Sequence, residues 1–330
     1  MNRLLRCALP LAAAFLVSTT AFGAGKPAAP QPGYRVINLM PAFWEFYGKT
    51  QGLAPEAQAV LFNRMVARRY PEVYAADVVG IRNGKPLDDE IVRRYKMVQE
   101  RIGSQMDVMR DVSNRISKDL TRYETTFRKS FPDLAYSGDI YFMYSLGGFD
   151  GGVRNIKGNS ALLFGLDMIT WVYGKGANPE PFFHHELFHI YHRQFKHKDQ
   201  PEGILGALWG EGLATYVAQA LNPGTGGVEI FGLPRNTPER VLADVPGLAK
   251  NLRALLDSKS SDDYRRYFLG LDEKAEVPSR SGYVMGYLVA KKLAKRHTLQ
   301  ELAHTPLSEL RPEIEQALAE LEAGEKVTLD

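Results

Sequence analysis

Apolar and polar positions recur with two different periods along this chain, and each change of period marks a change of element. From residue 34 to about 132 the apolar residues return at helical spacing, predicting a short helix over 41–47, a second over 55–69 and a long stretch over 87–129 that Gly103 is placed to break. A β pattern then replaces it. Ile140-Tyr141-Phe142-Met143-Tyr144-Ser145 and Ala161-Leu162-Leu163-Phe164 are β-forming runs on either side of Gly147-Gly148-Phe149-Asp150-Gly151-Gly152. That glycine cluster lacks the Gly-Lys-Ser/Thr ending of a phosphate loop and opens no helix in a βαβ unit, so it reads as a flexible hairpin loop that overhangs a cleft.

Helical spacing then resumes. Pro179 and Pro181 suit the start of a helix, Phe182, Phe183, Leu187, Phe188, Ile190 and Tyr191 give it apolar bulk, and Lys196 and Lys198 suit its C-terminal end. Residues 197–203 form a turn-rich connection, and further helices follow over 205–221, 238–256, 262–269, 279–296, 299–303 and 308–322. The expectation is an α+β fold, predominantly α-helical, with a small antiparallel or mixed sheet. It divides into an N-terminal helical region over 34–135 and a second region over 136–330 that ends in a helical subdomain.

The first residues stand apart from this pattern. Arg3 and Arg6 precede an apolar run over 9–17, and Ala21-Phe22-Gly23 offers small residues before a cut after Gly23, which predicts a signal peptide over 1–23 and an exported protein, periplasmic or secreted. Residues 24–33, rich in Ala, Pro and Gly, read as a linker. Cys7 is the only cysteine in the sequence, so a chain cut after Gly23 has no disulfide, no thiol nucleophile and no thiolate metal ligand. Loss of Arg3 and Arg6 takes 41 basic residues to 39 against 38 acidic, so the formal charge falls from +3 to +1. That balance offers no basic footprint for nucleic acid, and no apolar run after the leader is long enough to span a bilayer.

Chemistry concentrates at His185-Glu186-Leu187-Phe188-His189. On a helix, His185 and His189 lie one turn apart on one face, with Cβ atoms about 5–6 Å apart, so both imidazoles can grip one ion while Glu186 stands beside them as a base. The competing reading is a core helix with solvated histidines. Two histidines leave a tetrahedral zinc needing one more protein ligand and a water, the open arrangement of catalytic sites. Glu211 is the proposed third ligand, flanked by Gly210 and Gly212 in an apolar helix where an unpaired buried carboxylate is costly; the glycines would let a neighbouring helix approach closely. Asp199 and Glu202 in the preceding loop remain alternatives. His192 shares the histidine face but sits about 10 Å further along the axis, and a third-histidine pattern fails because its positions hold His192 and Phe195.

This helix, with a Glu-Gly-x-Ala segment at 211–214, resembles the thermolysin-like and aminopeptidase-like gluzincins, and more closely the bacterial predicted zinc-dependent proteases of uncharacterised substrate. The resemblance covers roughly 141–296. It implies a zincin-like catalytic domain in which an upstream strand lines the cleft, with zinc held by His185, His189 and Glu211, Glu186 as general base, and a peptide or protein as substrate. One departure matters: thermolysin-like enzymes usually carry Asp four residues after the ligand glutamate to orient a zinc histidine, and here that place is Thr215. A donor for the transition-state oxyanion is sought in Tyr283 and Tyr287, one turn apart beside Gly282 and Gly286, whose alternative role is to pack a helix seam. Arg280 could instead bind a substrate carboxylate, and Tyr216, turned about 140° from Glu211, is core. The resulting expectation is an exported zinc metallopeptidase. The competing functions are an inactive zincin-shaped binding or envelope-assembly protein, and a zinc hydrolase of a non-peptide amide.

Overall fold

The sheet is built from strands distant in sequence, which is why periodicity only partly revealed it. A computed structural model describes residues 33–176, 178–195 and 203–329. The expected signal peptide, nearly all of the expected linker, Lys196, Lys198, Asp199 and Glu202 lie outside the described residues.

Strand β1 (Arg35–Asn38) opens the chain and is followed by helices α1 (Met40–Lys49), α2 (Pro55–Met65), α3 (Leu87–Ile102) and α4 (Met106–Ser130). The break expected at Gly103 is a single 3-10 turn, Gly103–Gln105. Strands β2 (Asp139–Met143), β3 (Gly151–Ile156) and β4 (Asn159–Gly165) then complete a four-stranded mixed sheet in the order β1-β2-β4-β3. β1, β2 and β4 are parallel, in register Val36–Ile140–Leu162, and β3 runs antiparallel to β4 with Val153 opposite Leu162.

Two expectations change here. The 34–132 region is not wholly helical, because β1 adds a parallel strand to β2; four residues at half-exposed positions carry no alternation strong enough to announce it. Nor do the two predicted strands form a hairpin across the glycine cluster. They pair in parallel, while Gly151 and Gly152 open an extra strand, β3, that makes a hairpin with β4. Its two-residue turn, Lys157-Gly158, has positive φ at both positions, as the twist of a tight hairpin demands.

The remaining helices are α5 (Leu166–Tyr173), α6 (Glu180–Gln194), α7 (Ile204–Ala220), α8 (Val228–Phe231), α9 (Thr237–Ala243), α10 (Val245–Ala254), α11 (Ser261–Phe268), α12 (Ser281–Leu293), α13 (Leu299–His304) and α14 (Leu307–Glu322). The helix expected over 238–256 is broken at Asp244, whose side chain leaves the helix to accept from the Gly247 N–H and cap α10. The fold is α+β and mostly helical. Among the described residues no helix is long and apolar enough to cross a membrane.

One core runs from the first helices to the sheet and on into the C-terminal helices. Phe43 stacks on Tyr144 at 4.6 Å, Phe62 stacks on Tyr95 at 5.0 Å, and the Tyr74 hydroxyl donates to the Tyr144 carbonyl at 3.0 Å. The chain beyond β2 is tied down just as firmly. Asp167, fully buried at the start of α5, accepts from the Ser145 N–H (2.6 Å), the Ser145 hydroxyl (2.8 Å) and the Gly147 N–H (2.8 Å). Those bonds satisfy a carboxylate that burial would otherwise penalise, and they hold the segment leading to β3 in one place.

Helix α6 is clamped on the side facing away from the His185 and His189 pair. His184 is fully buried, with Nε2 2.9 Å from the Tyr123 carbonyl and Nδ1 2.9 Å from Asn222 Nδ2. Burial pushes its pKa down to about 4, so it stays neutral, donating through Nε2 to the carbonyl and accepting from the amide. Glu180, the first residue of α6, pairs with Arg122 of α4 at 2.5 Å.

Helices α7 and α12 cross at glycines. A Cβ on Gly212 would sit 2.3 Å from the Gly286 carbonyl carbon, and one on Gly286 would sit 2.3 Å from the Leu208 oxygen. Neither obstacle is a flexible side chain. Gly210, by contrast, has nothing within 4 Å of such an atom, so it contributes only the cost of glycine in a helix interior. Gly212→Ala is therefore expected to lose about 3 kcal/mol or more of stability in denaturant unfolding. Gly210→Ala should gain about 0.5–1 kcal/mol. Equal effects at the two positions would contradict this picture of the crossing.

Candidate metal centre

Three donor atoms converge between α6 and α7. His185 and His189 follow each other by one turn on the cleft side of α6, and their Nε2 atoms lie 3.1 Å apart. Glu211, from the middle of α7, places Oε2 at 3.4 Å from His185 Nε2 and 3.3 Å from His189 Nε2. A tetrahedral zinc with bonds of about 2.05 Å holds its ligand atoms about 3.3 Å apart. The observed triangle is thus one face of such a tetrahedron, leaving the fourth corner open. Among the described residues this is the cluster of histidine and acidic side chains that could hold a metal ion.

The electrostatics agree with a cation site. Burial opposes ionisation of Glu211, but His189 and His185 outweigh it and hold the carboxyl well below the usual range. Burial likewise opposes charge on His189, and Glu211 reverses that, raising its pKa. A carboxylate and an imidazole that stabilise each other's charge, with a second imidazole beside them, are the donor set a divalent ion would unify. The Phe182 ring lies nearly parallel to the His185 imidazole, at 6.5 Å and 14°, and backs that ligand.

Glu186 stands beside the triangle. Burial raises its pKa, and Asp150 and Glu211 add to the rise against the lowering effect of the two histidines. The first residue of β3 rests directly on it: a Cβ on Gly151 would lie 2.9 Å from both Cγ and Cδ of Glu186 and 2.7 Å from Phe182. Glycine at this point lets a sheet edge touch the base. The signal was visible as a Gly-Gly pair beside β-forming residues, since glycine in a strand often marks close backbone approach.

The two tyrosines part company. Tyr283 lines a cavity of about 320 Å³ together with His185, Phe182 and Arg280. Burial raises its pKa well above 10, and the Glu211 and Glu186 carboxylates add to this, so its hydroxyl remains a donor. Tyr287 is not brought to the cavity. It is fully buried, its hydroxyl donates to Gln219 Oε1 at 2.8 Å, and its ring meets Tyr216 and Phe231. One helical turn puts both on one seam, but the crossing with α7 covers Tyr287. Thr215 also stays away from the imidazoles, since its hydroxyl donates to the Glu211 carbonyl at 2.7 Å within its own helix.

Much of the cavity wall was not foreseen. Trp171 and Tyr173 come from α5, Phe231 from α8 and Phe268 from the end of α11. Each belongs to a helix whose pattern looks like ordinary core, so nothing local distinguishes them.

Residues 177–310 match the model of a family described as "Predicted Zn-dependent protease (DUF2268)". No curated protein and no solved structure matches this chain. The family's description suggests a zinc-dependent protease, and the matched span contains the His185, His189 and Glu211 cluster that could bind the metal.

Metal should stabilise the folded protein by mass action, by about 2.7 kcal/mol at a free zinc concentration one hundred times Kd. Thermal unfolding of chelator-treated protein titrated with zinc should show the shift, and Glu211→Ala and His189→Ala should lose most of it. If Glu211→Ala keeps the full shift while Asp199→Ala or Glu202→Ala abolishes it, the third ligand lies in the loop instead.

Proposed function

We propose that this protein is an exported zinc metallopeptidase in which Glu186 is the general base and His185, His189 and Glu211 hold the ion. The observation that carries the reading is the His-His-Glu triangle of tetrahedral dimensions with a partly enclosed carboxylate beside it. When bound, zinc supplies a water of lowered pKa and a Lewis acid for the scissile carbonyl.

The chain's own residues account for the rest. A carboxyl of raised pKa is suited to accept a proton from the attacking water and return it to the leaving nitrogen at neutral pH. Tyr283 offers a protonated hydroxyl from across the cavity, so it is the better placed of the two tyrosines to meet charge developing on the carbonyl oxygen. Tyr287 supports it by anchoring α12 to Gln219 of α7. Among the described residues strand β3 pairs on one side only, with β4, and it starts against Glu186. A peptide lying extended along that edge would present its backbone to the base.

Glu186→Gln should retain zinc and lose nearly all hydrolysis of a diverse peptide library, while Tyr283→Phe should lower kcat about 100-fold or more. Full activity in the Glu186→Gln protein would sink the assignment. One equivalent of zinc with no cleavage of any peptide would favour a binding role. Export rests on the pattern of residues 1–23. N-terminal sequencing of the protein isolated from its native host should begin at Ala24, and an intact Met1 would refute a cleaved leader.

A further inference from the structure

The cavity that reaches His185 holds a cation, Arg280, that forms no ion pair among the described residues. Arg280 immediately precedes α12 with φ 60° and ψ 21°, a left-handed conformation that glycine adopts freely and other residues only at a cost. Its guanidinium carbon lies 4.4 Å over the Tyr283 ring. Its Nε is shut off from solvent and, among the described residues, meets no acceptor. Among the described residues no carboxylate forms an ion pair with it. Asp150 and Glu211 act on it only from longer range, and the Asp150 carboxylate already accepts from the Gly151 N–H at 3.0 Å. Glu229, on the same wall, is held by the Asn178 N–H at 2.8 Å.

A partly buried guanidinium in a largely apolar cavity is costly without an anion. Its planar fork fits two oxygens at once, which a carboxylate supplies. Phe149, Trp171, Phe182 and Phe268 form apolar walls around it. The strained backbone is a second sign that arginine is kept here for a purpose, since glycine would relax it.

We infer that this cavity receives a substrate carboxylate carried on or next to a large apolar residue, and that Arg280 is the residue that binds it. The carboxylate comes either from the end of a peptide chain or from an Asp or Glu side chain. The inference rests on the peptidase reading for the ligand being a peptide, but not for the presence of an anion site. Because His185 lines the same cavity, a carboxylate held at Arg280 would set which bond reaches the metal, making Arg280 a determinant of specificity.

The test is equilibrium binding, free of turnover. Zinc-loaded full-length Glu186→Gln protein is titrated calorimetrically with N-acetyl-Ala-Phe, with its C-terminal amide, and with N-acetyl-Phe-Glu amidated at the main-chain terminus only, leaving the side chain acidic. At least one acidic peptide should bind about tenfold or more tighter than the neutral amide, and Arg280→Gln should erase that margin. Preference for the first acid identifies the chain end as the source, and preference for the glutamyl peptide identifies the side chain. Equal binding of all three, or none by any up to millimolar concentration, overturns the inference. So does an acid preference that survives Arg280→Gln, since the carboxylate would then be ligating zinc. Should Arg280→Gln fail to fold, Arg280→Gly removes the guanidinium while relaxing the backbone. Peptide hydrolysis by the unsubstituted protein is scored separately. Arg280-dependent binding without cleavage defeats the peptidase reading alone, and cleavage without that dependence defeats only this inference.

Discussion

Backbone contact between Gly212 and Gly286 governs the geometry of everything around the metal centre. Side chains normally keep crossing helices about 8–10 Å apart, and here two missing Cβ atoms let α7 and α12 touch through main chain. Glu211 precedes one glycine by a single residue, and Tyr283 precedes the other by three. The same contact therefore sets how far α7 leans toward α6, where it delivers the third donor, and how deeply α12 enters the cavity with Tyr283. Tyr287, on the covered part of the seam, adds a hydrogen bond to Gln219 that holds the crossing at the next turn.

That rigidity matters because the site it assembles is electrostatically unfavourable in isolation. Burial, Asp150 and Glu211 together raise the pKa of Glu186 and the histidines offset only part of that rise, whereas at Glu211 the same histidines outweigh burial. A flexible scaffold would let the carboxylates drift toward water. Here His184, Glu180 and Tyr191 tie α6 to its surroundings through Tyr123, Arg122 and Asp133, all on the side away from the donor atoms. The helix therefore cannot turn its acidic and imidazole face outward without breaking buried hydrogen bonds, some of which would leave groups unsatisfied at a cost of about 1–3 kcal/mol each.

Legibility in the sequence followed the range of the interactions. The helices over α3, α4, α6, α7, α11 and α12 were foreseen within a few residues because 3.6-residue periodicity is a local property. The convergence of His185, His189 and Glu211 was also readable, since one-turn spacing fixes the pair and an enclosed carboxylate needs a reason. What remained hidden was long-range. Strand β1 exists because Asp139–Phe142 offer it a parallel partner a hundred residues away. Gly147 to Asp150 stay outside regular structure, but Gly151 and Gly152 start an edge strand because β4 pairs with them, and Gly151 meets Glu186. Tyr283 and Tyr287 are equivalent by spacing, and only the position of α7 separates a cavity residue from a core one.

The cavity draws these constraints together. Its floor is the ligand helix, one wall follows from the segment that Asp167 pins beyond β2, and another is the start of α12, where Arg280 sits in a strained turn. Parts held so firmly suit a site that must place one bond of a substrate against one ion, because misplacement of about 1 Å can cost 100-fold in rate. A guanidinium fixed by its own backbone strain and by the Tyr283 ring is preorganised in the same sense. The cost of holding it there is met in the fold rather than at each binding event, and the glycine crossing that positions Tyr283 thereby positions the cation beneath which that ring lies.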